Sequence, residues 1–344
     1  MDLNEILAFS QLVINKPENE KINLANQFGI DYEEYKKRII GKEKETEFLI
    51  ILKSLGCLNH IVAYDEGTSH LTNEYTPDYC VELSDGYKMM IEVKHTDKEY
   101  YKISLGNLQH RIEFAERHSM PLRFAVSIKG FWGLFTTDDL QQKKGKLTIA
   151  DFGGENSISW LDVELATCSY MLPHDLKIRS VYMKNHKKGT GIFYNQYGQL
   201  VSYELYCDEK KLFRFKGKNS KYKLYSIYLE ALQNRLANAH QEIVHSGDAT
   251  IITEYFNKND PRCIIPEYEF LLAPIKHIVS DIDGCQLGYD SMRAVADKDF
   301  QYLDVRLLRA YLIELSELGM DITVFRNSNG YRIEDYKDLF WIKK

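Results

Sequence analysis

Thr76-Pro77-Asp78-Tyr79-Cys80-Val81-Glu82-Leu83-Ser84-Asp85-Gly86-Tyr87-Lys88-Met89-Met90-Ile91-Glu92-Val93-Lys94 is the stretch whose reading decides the fold. Tyr79–Leu83 reads as a strand, Ser84-Asp85-Gly86 as a turn, and residues 87–94 as a longer strand rich in apolar side chains. Glu92 and Lys94 interrupt that second strand. Residues i and i+2 of a strand point to one face, so a carboxylate and an ammonium emerge together where an apolar pair is expected. Burying charges is costly unless they pair or bind a metal. If the two strands form a hairpin centred on Asp85, Asp78 stands opposite Glu92, with Cβ atoms roughly 5 Å apart. A two-residue Asp85-Gly86 loop would instead set Asp78 opposite Val93, on the wrong face.

Two carboxylates so close repel, or raise one another's pKa, unless a cation sits between them. Oxygen ligands of this kind suit Mg²⁺, with Mn²⁺ as a substitute. Such a metal polarises a phosphodiester and acidifies a bound water, while a neighbouring lysine stabilises developing negative charge. The triplet is weak evidence by itself. Acidic-x-Lys also occurs at Glu34/Lys36, Asp175/Lys177, Asp208/Lys210, Glu209/Lys211 and Asp335/Lys337. The competing reading of Asp78, Glu92 and Lys94 is a cross-strand ion pair on a solvated sheet face, which is common and worth little.

Working outward, Ile6, Phe9, Leu12 and Val13 follow helical spacing in a lead-in over residues 1–40, broken at Pro17. A helix is expected over 42–55, with Glu45, Phe48, Leu49, Leu52 and Leu55 on one face and Gly56 closing it. Residues 60–64 read as a strand, 65–76 as a polar loop, 104–118 as a helix, Leu122–Ile128 as a strand and 130–135 as another. Residues 41–150 therefore form an α/β domain with a mixed central sheet flanked by helices. Residues 151–344 form a C-terminal α+β region. In it Tyr182, Phe193-Tyr194, 203–206 and 212–215 fall on strands, and a helix spans about 222–244. A short helix near 291–296, a helix over 304–318 and a hairpin through Asn327-Asn329-Gly330 are compatible with a closing winged helix.

The order of a helix with a glutamate, Pro-Asp at the mouth of a strand, and Glu-x-Lys on the next strand resembles the PD-(D/E)xK (restriction-endonuclease-like) nuclease superfamily. That superfamily includes type II restriction enzymes, archaeal Holliday-junction resolvases and the endonuclease subunit of heteromeric transposases. The resemblance covers about residues 41–140. It implies that Asp78 and Glu92 are metal ligands, that the Val93 carbonyl is a further ligand, and that Lys94 is the catalytic lysine. It also implies a glutamate from the first helix: Glu45, with Glu47 as second choice. Gln109 and His110 are candidates from the helix after the catalytic strand. Nothing outside 41–140 matches one subfamily.

The chain has 344 residues and a net charge of −6, so contact with DNA requires a local basic patch rather than a global field. Residues 174–230 supply one, with 12 Lys or Arg against 5 Asp or Glu. Its densest part holds Lys210, Lys211, Arg214, Lys216, Lys218, Lys221 and Lys223. A phosphate-backbone platform is the favoured reading, against a solvated edge strand guarded by lysines. The six cysteines show no C-x-x-C pair, which argues against a zinc knuckle or redox motif and fits reduced core residues in a cytoplasmic protein. There is no signal-peptide pattern and no membrane-length apolar run.

The expected activity is thus Mg²⁺-dependent endonucleolytic hydrolysis of DNA, of restriction, transposon-end or phage-defence type. A homodimer, or a protein partner for the second strand, is expected because cutting both strands takes two sites. The alternatives are a non-catalytic nucleic-acid-binding protein that keeps the nuclease fold, or an RNA-directed nuclease of the same superfamily.

Overall fold

Asp31 begins the longest helix among the described residues. Its carboxylate accepts the backbone N–H groups of Glu33 and Glu34, at 3.0 and 3.1 Å, and two acids stand in the first turn against the helix dipole. The helix, α3 (Tyr32–Ser54), therefore starts ten residues before the expected position, and Gly41 does not interrupt it. Ahead of it, α1 (Leu3–Val13) and α2 (Glu18–Gln27) pack with its first turns. Ile6, Phe9, Val13, Ala25 and Tyr35 form one cluster, with the rings of Phe9 and Tyr35 edge to face at 4.9 Å. The computed structural model describes residues 3–13, 16–64, 76–152, 157–172, 176–184, 189, 193–216, 240–256, 264–272, 305–326 and 329–332. Almost all of the loop expected over 65–76 lies outside them.

The first unit runs to Thr167 and is built on a five-stranded mixed sheet in the order β1-β2-β3-β5-β6. These strands are β1 (Leu58–Ala63), β2 (Tyr79–Leu83), β3 (Lys88–Thr96), β5 (Leu122–Ile128) and β6 (Phe131–Thr136). Every pairing is antiparallel except β3 with β5. A parallel pair needs a crossover. Helix α4 (Leu105–Arg117) provides it, capped by the Ser104 hydroxyl on Asn107 N–H. Leu108, Phe114 and Ala115 of α4 pack with Met90, Leu122, Phe124, Val126 and Ile128 on one face of the sheet. Alternation puts Ser127 and its partner Trp132 on the other face, where Phe48 of α3 meets the indole at 5.1 Å.

Short strands β4 (Tyr100–Lys102) and β7 (Lys146–Thr148) pair beside this sheet, with α5 (Thr137–Gln142) leading into β7. Gly145 turns the chain there at φ +74°, and a Cβ would lie 2.2 Å from the Ile103 carbonyl, so only glycine fits. Helix α6 (Leu161–Glu164) closes the unit through Glu164, which takes two bonds from Arg123 Nε, at 2.7 and 2.9 Å.

The second unit begins at Cys168. One of its sheets has the order β10-β11-β9-β14-β13, with β12 on β11. Its strands are β9 (Leu176–Met183), β10 (Phe193–Tyr194), β11 (Gly198–Cys207), β12 (Lys210–Phe215), β13 (His240–Ser246) and β14 (Ala249–Phe256). The aromatic segments expected as strands fall in β9 to β12. The helix expected over 222–244 is corrected at its end: residues 240–246 are strand, paired with β14 across a turn at Gly247 (φ +58°). Ile243 and Val244 are β-branched and suit that hairpin; residues 222–239 lie outside the described set.

The other sheet orders β15-β8-β16-β17, from β8 (Ser169–Met171), β15 (Ile264–Pro266), β16 (Thr323–Arg326) and β17 (Asn329–Arg332). Helix α7 (Val305–Glu317) precedes its hairpin, as expected. However, β16 also pairs with β8, so the hairpin is part of a four-stranded sheet rather than a free wing. The helix expected near 291–296 lies outside the described residues.

Candidate active site

The β2–β3 hairpin is centred on Asp85. Glu82 pairs with Lys88 and Tyr79 with Ile91, and one further step in the same register sets Asp78 across from Glu92. Asp78 precedes β2 and continues the join through its side chain, whose Oδ2 accepts Val93 N–H at 2.6 Å. Its own carbonyl accepts Tyr64 N–H at 3.1 Å, so the residue is held from both neighbouring strands.

Glu92 lies in the middle of β3 and is 1% exposed. Opposite Phe124 of β5, it shares the α4 face with Lys94, which is opposite Val126. Lys94 Nζ sits 2.6 Å from Glu92 Oε1 and 3.9 Å from Asp78 Oδ2. Arg111 of α4 reaches the same Glu92 Oε1 through Nε at 2.8 Å. Glu92 Oε2 is buried with no hydrogen-bond partner. Such an atom is costly to leave unpaired and points to a missing cation or water.

Electrostatics follow from this crowding. Burial, then the Glu92 carboxylate, then Glu45, push the Asp78 pKa up to about 8, against the opposing pull of Lys94 and the Val93 N–H. Burial works against the Lys94 ammonium, but Glu92 and Asp78 outweigh it and hold its pKa above the ordinary lysine value. Lys94 is therefore a fixed cation. Tyr101, on β4, belongs to the same field; burial raises its hydroxyl to about 12.

The other expected residues are placed as follows. Glu45 is ion-paired with Lys42 at 2.8 Å and is close enough to act on Asp78. Glu47, off the apolar stripe in sequence, is 3% exposed and accepts Trp132 Nε1 at 3.0 Å and Lys44 Nζ at 2.8 Å. It anchors α3 to β6. Gln109 bonds Glu113 at 3.2 Å and His110 lies 3.9 Å from the same carboxylate, so neither is placed on Glu92. Arg111, the residue that is, was not singled out by the sequence, where it is one charge among many on a polar helix. His95 lies on the opposite face, beside Ser127 Oγ at 3.2 Å.

Among the described residues no three His, Cys, Asp or Glu side chains converge into a ready-made metal cluster. The site instead offers two adjoining carboxylates, one with an unused oxygen. That donor set fits Mg²⁺, which is usually held by one or two carboxylates together with waters and substrate phosphate.

In the second unit, Lys210, Lys211 and Arg214 lie on β12 and are exposed, as is Lys216 just beyond it. Lys218, Lys221 and Lys223 lie outside the described residues. Lys211 heads a rank of directly opposed residues across five strands: Lys211, Tyr206, Lys177, Tyr255 and His240. Beside it, Arg179 and Arg214 flank Glu204 at 3.2 and 2.9 Å. Part of the positive charge is thus neutralised within the sheet. Lys210 is turned to the Leu318 carbonyl at 3.2 Å.

No described helix is long and apolar enough to cross a membrane. No protein-family model matches the chain, and no curated protein matches it. Among solved structures, a Holliday junction resolvase (Hjc) from Archaeoglobus fulgidus aligns with 33% of this chain and 91% of its own, at 17% identity and a TM-score of 0.28. A likeness this distant assigns no residue a role.

Proposed function

We propose that this protein is a metal-dependent endonuclease that hydrolyses phosphodiester bonds of DNA. In this reading the first unit is a restriction-endonuclease-like core with Asp78, Glu92 and Lys94 as the reacting set. The observation that carries it is the buried Asp78–Glu92 pair beside Lys94, with one Glu92 oxygen left unpartnered. A surface ion pair has no need of a second buried carboxylate, and an unpartnered oxygen on a buried carboxylate is costly in a purely structural pair.

Asp78, Glu92 and the Val93 carbonyl would hold the divalent cation, with Glu45 adding negative charge from α3. When bound, that cation supplies neutralisation of the scissile phosphate and a water acidic enough to attack it. Asp78 gives up its proton on forming the site. Lys94, kept charged by the two carboxylates, is no general base; it orients the nucleophile and stabilises the extra charge on phosphorus oxygens. The β12 cations, in the same reading, contact phosphates and position the nucleic acid without reading its sequence.

The test is cleavage of supercoiled plasmid by the full chain in Mg²⁺ or Mn²⁺, with single-stranded RNA as a parallel substrate. Asp78→Ala and Lys94→Ala are each expected to lower the rate by about a hundredfold or more. No cleavage by the wild type, or cleavage untouched by both substitutions, would sink the enzyme reading. Cleavage of RNA alone would move the substrate class while keeping the site.

A further inference from the structure

Glu92 Oε1 receives two cations, Lys94 Nζ at 2.6 Å and Arg111 Nε at 2.8 Å, while its Oε2 receives none. Both cations thus crowd the two acceptor sites of one oxygen and leave the other oxygen bare. Arg111 is also tied to its own helix, with Nη1 3.4 Å from the Asn107 carbonyl, and its side chain is 16% exposed. The Arg111 side chain is thus more exposed than that of Glu92, at 2%, and is carried on a helix. Lys94 and Arg111 together match the charges of Glu92 and an ionised Asp78. A divalent ion entering the site meets one positive charge more than catalysis by Lys94 requires.

We propose that Arg111 is the internal counter-ion of Glu92, holding the carboxylate while no metal is bound and turning to the substrate phosphate once one is. The inference rests on the nuclease reading. An arginine suits both stations, because its planar fork bonds a carboxylate or a phosphate equally well and never loses its charge. Before metal arrives, Arg111 offsets the cost of a buried carboxylate. Afterwards it opposes the metal electrostatically, so leaving Glu92 is favourable, and the phosphate is the nearest anion a bound substrate would offer. A plain structural tie between α4 and β3 predicts the opposite for metal binding: loosening Glu92 would weaken it.

The experiment is titration of the full-length wild type, Arg111→Ala, Arg111→Gln and Arg111→Lys with Mn²⁺ alone, followed by calorimetry, and then cleavage of plasmid at saturating metal. Arg111→Ala and Arg111→Gln are expected to bind Mn²⁺ about tenfold more tightly, since one nearby positive charge is gone. They should cut about a hundredfold more slowly. Arg111→Lys, which keeps the charge and loses the fork, should return Mn²⁺ affinity toward wild type and recover part of the rate. Far-UV circular dichroism shows which variants fold; if the alanine variant does not, the glutamine variant decides by the same sign. Mn²⁺ affinity that is unchanged or weaker overturns the proposal, and so does an undiminished cleavage rate. If the wild type binds Mn²⁺ and cuts DNA but the variants bind no more tightly, Arg111 fails and the nuclease reading stands. If the wild type binds no Mn²⁺, both fall together.

Discussion

Asp78 carries the pH dependence of the site. Its folded pKa, about 8, lies far above the ordinary 3.8 because it is buried against Glu92. Well below pH 3.8 the carboxyl is protonated whether the chain is folded or not. Between about 4 and 8 the unfolded chain binds fewer protons than the folded one, so Asp78 costs progressively more stability as pH rises through that window. Without divalent metal, the urea midpoint should therefore decline from pH 5 to 8, and Asp78→Asn should flatten that decline. A metal bound as proposed competes with the same proton, so Mn²⁺ affinity should rise over this window in the wild type. A variant profile that parallels the wild type would remove Asp78 as the cause. Lys94 shows the converse arrangement: two carboxylates hold its charge, which is why it is assigned to charge stabilisation rather than proton abstraction.

At the scale of elements, buried glutamates fix how helices meet sheets in both units. Glu47 ties α3 to Trp132 of β6. In the second unit, Glu267 is completely buried and takes two bonds from Arg309 of α7, both at 2.8 Å, and one from the Tyr170 hydroxyl at 2.5 Å. Removing one partner of such a pair strands the other, whereas the pair itself adds little net stability. Arg309→Ala should thus destabilise the protein by about 3–5 kcal/mol in urea unfolding. A loss under about 1 kcal/mol would mean that the pair contributes no more than an exposed one. Cys168, next to Glu267, is held protonated: burial and that carboxylate push its thiol pKa well up. Cys168 and Cys207 are buried, as expected of reduced core residues, whereas Cys57 and Cys80 are only partly so.

For the molecule as a whole, the charge balance is decisive. A net charge of −6 makes general attraction to DNA unfavourable, so the proposed reading requires the exposed cations around β12 to act locally. The substitution pair Lys211→Ala with Lys216→Ala should weaken DNA binding to a similar degree on unrelated sequences. It should also reduce the slope of log affinity against log salt by roughly 0.9 for each phosphate that is no longer neutralised. An unchanged slope in filter binding would place the DNA-binding surface elsewhere. Plasmid linearisation in a single encounter, rather than nicking, is the readout of the expected second active site.

The sequence by itself determined the β2 and β3 strands, the turn between them, and the shared face of Glu92 and Lys94, while the strand pairing chose the centre at Asp85 over a two-residue Asp85-Gly86 loop. The strands, turn and face follow from period-two alternation, a three-residue turn signal and neighbouring chain, all local properties. The early start of α3 was also written locally, in the Asp31 cap and the acids that follow it, but the charged run 33–38 hides any apolar stripe. β13 was illegible for another reason: all seven of its residues are exposed, so no alternation marks them, and its conformation comes from pairing with β14. Arg111 shows the same limit at the site. Its meeting with Glu92, nineteen residues away, depends on α4 crossing over a parallel β3–β5 pair. Glu47 reached the sheet despite lying off the helix stripe, because Trp132 offered its N–H there. Local periodicity specifies which face a side chain takes on its own element, and only the packing of distant elements decides which side chain stands across from it.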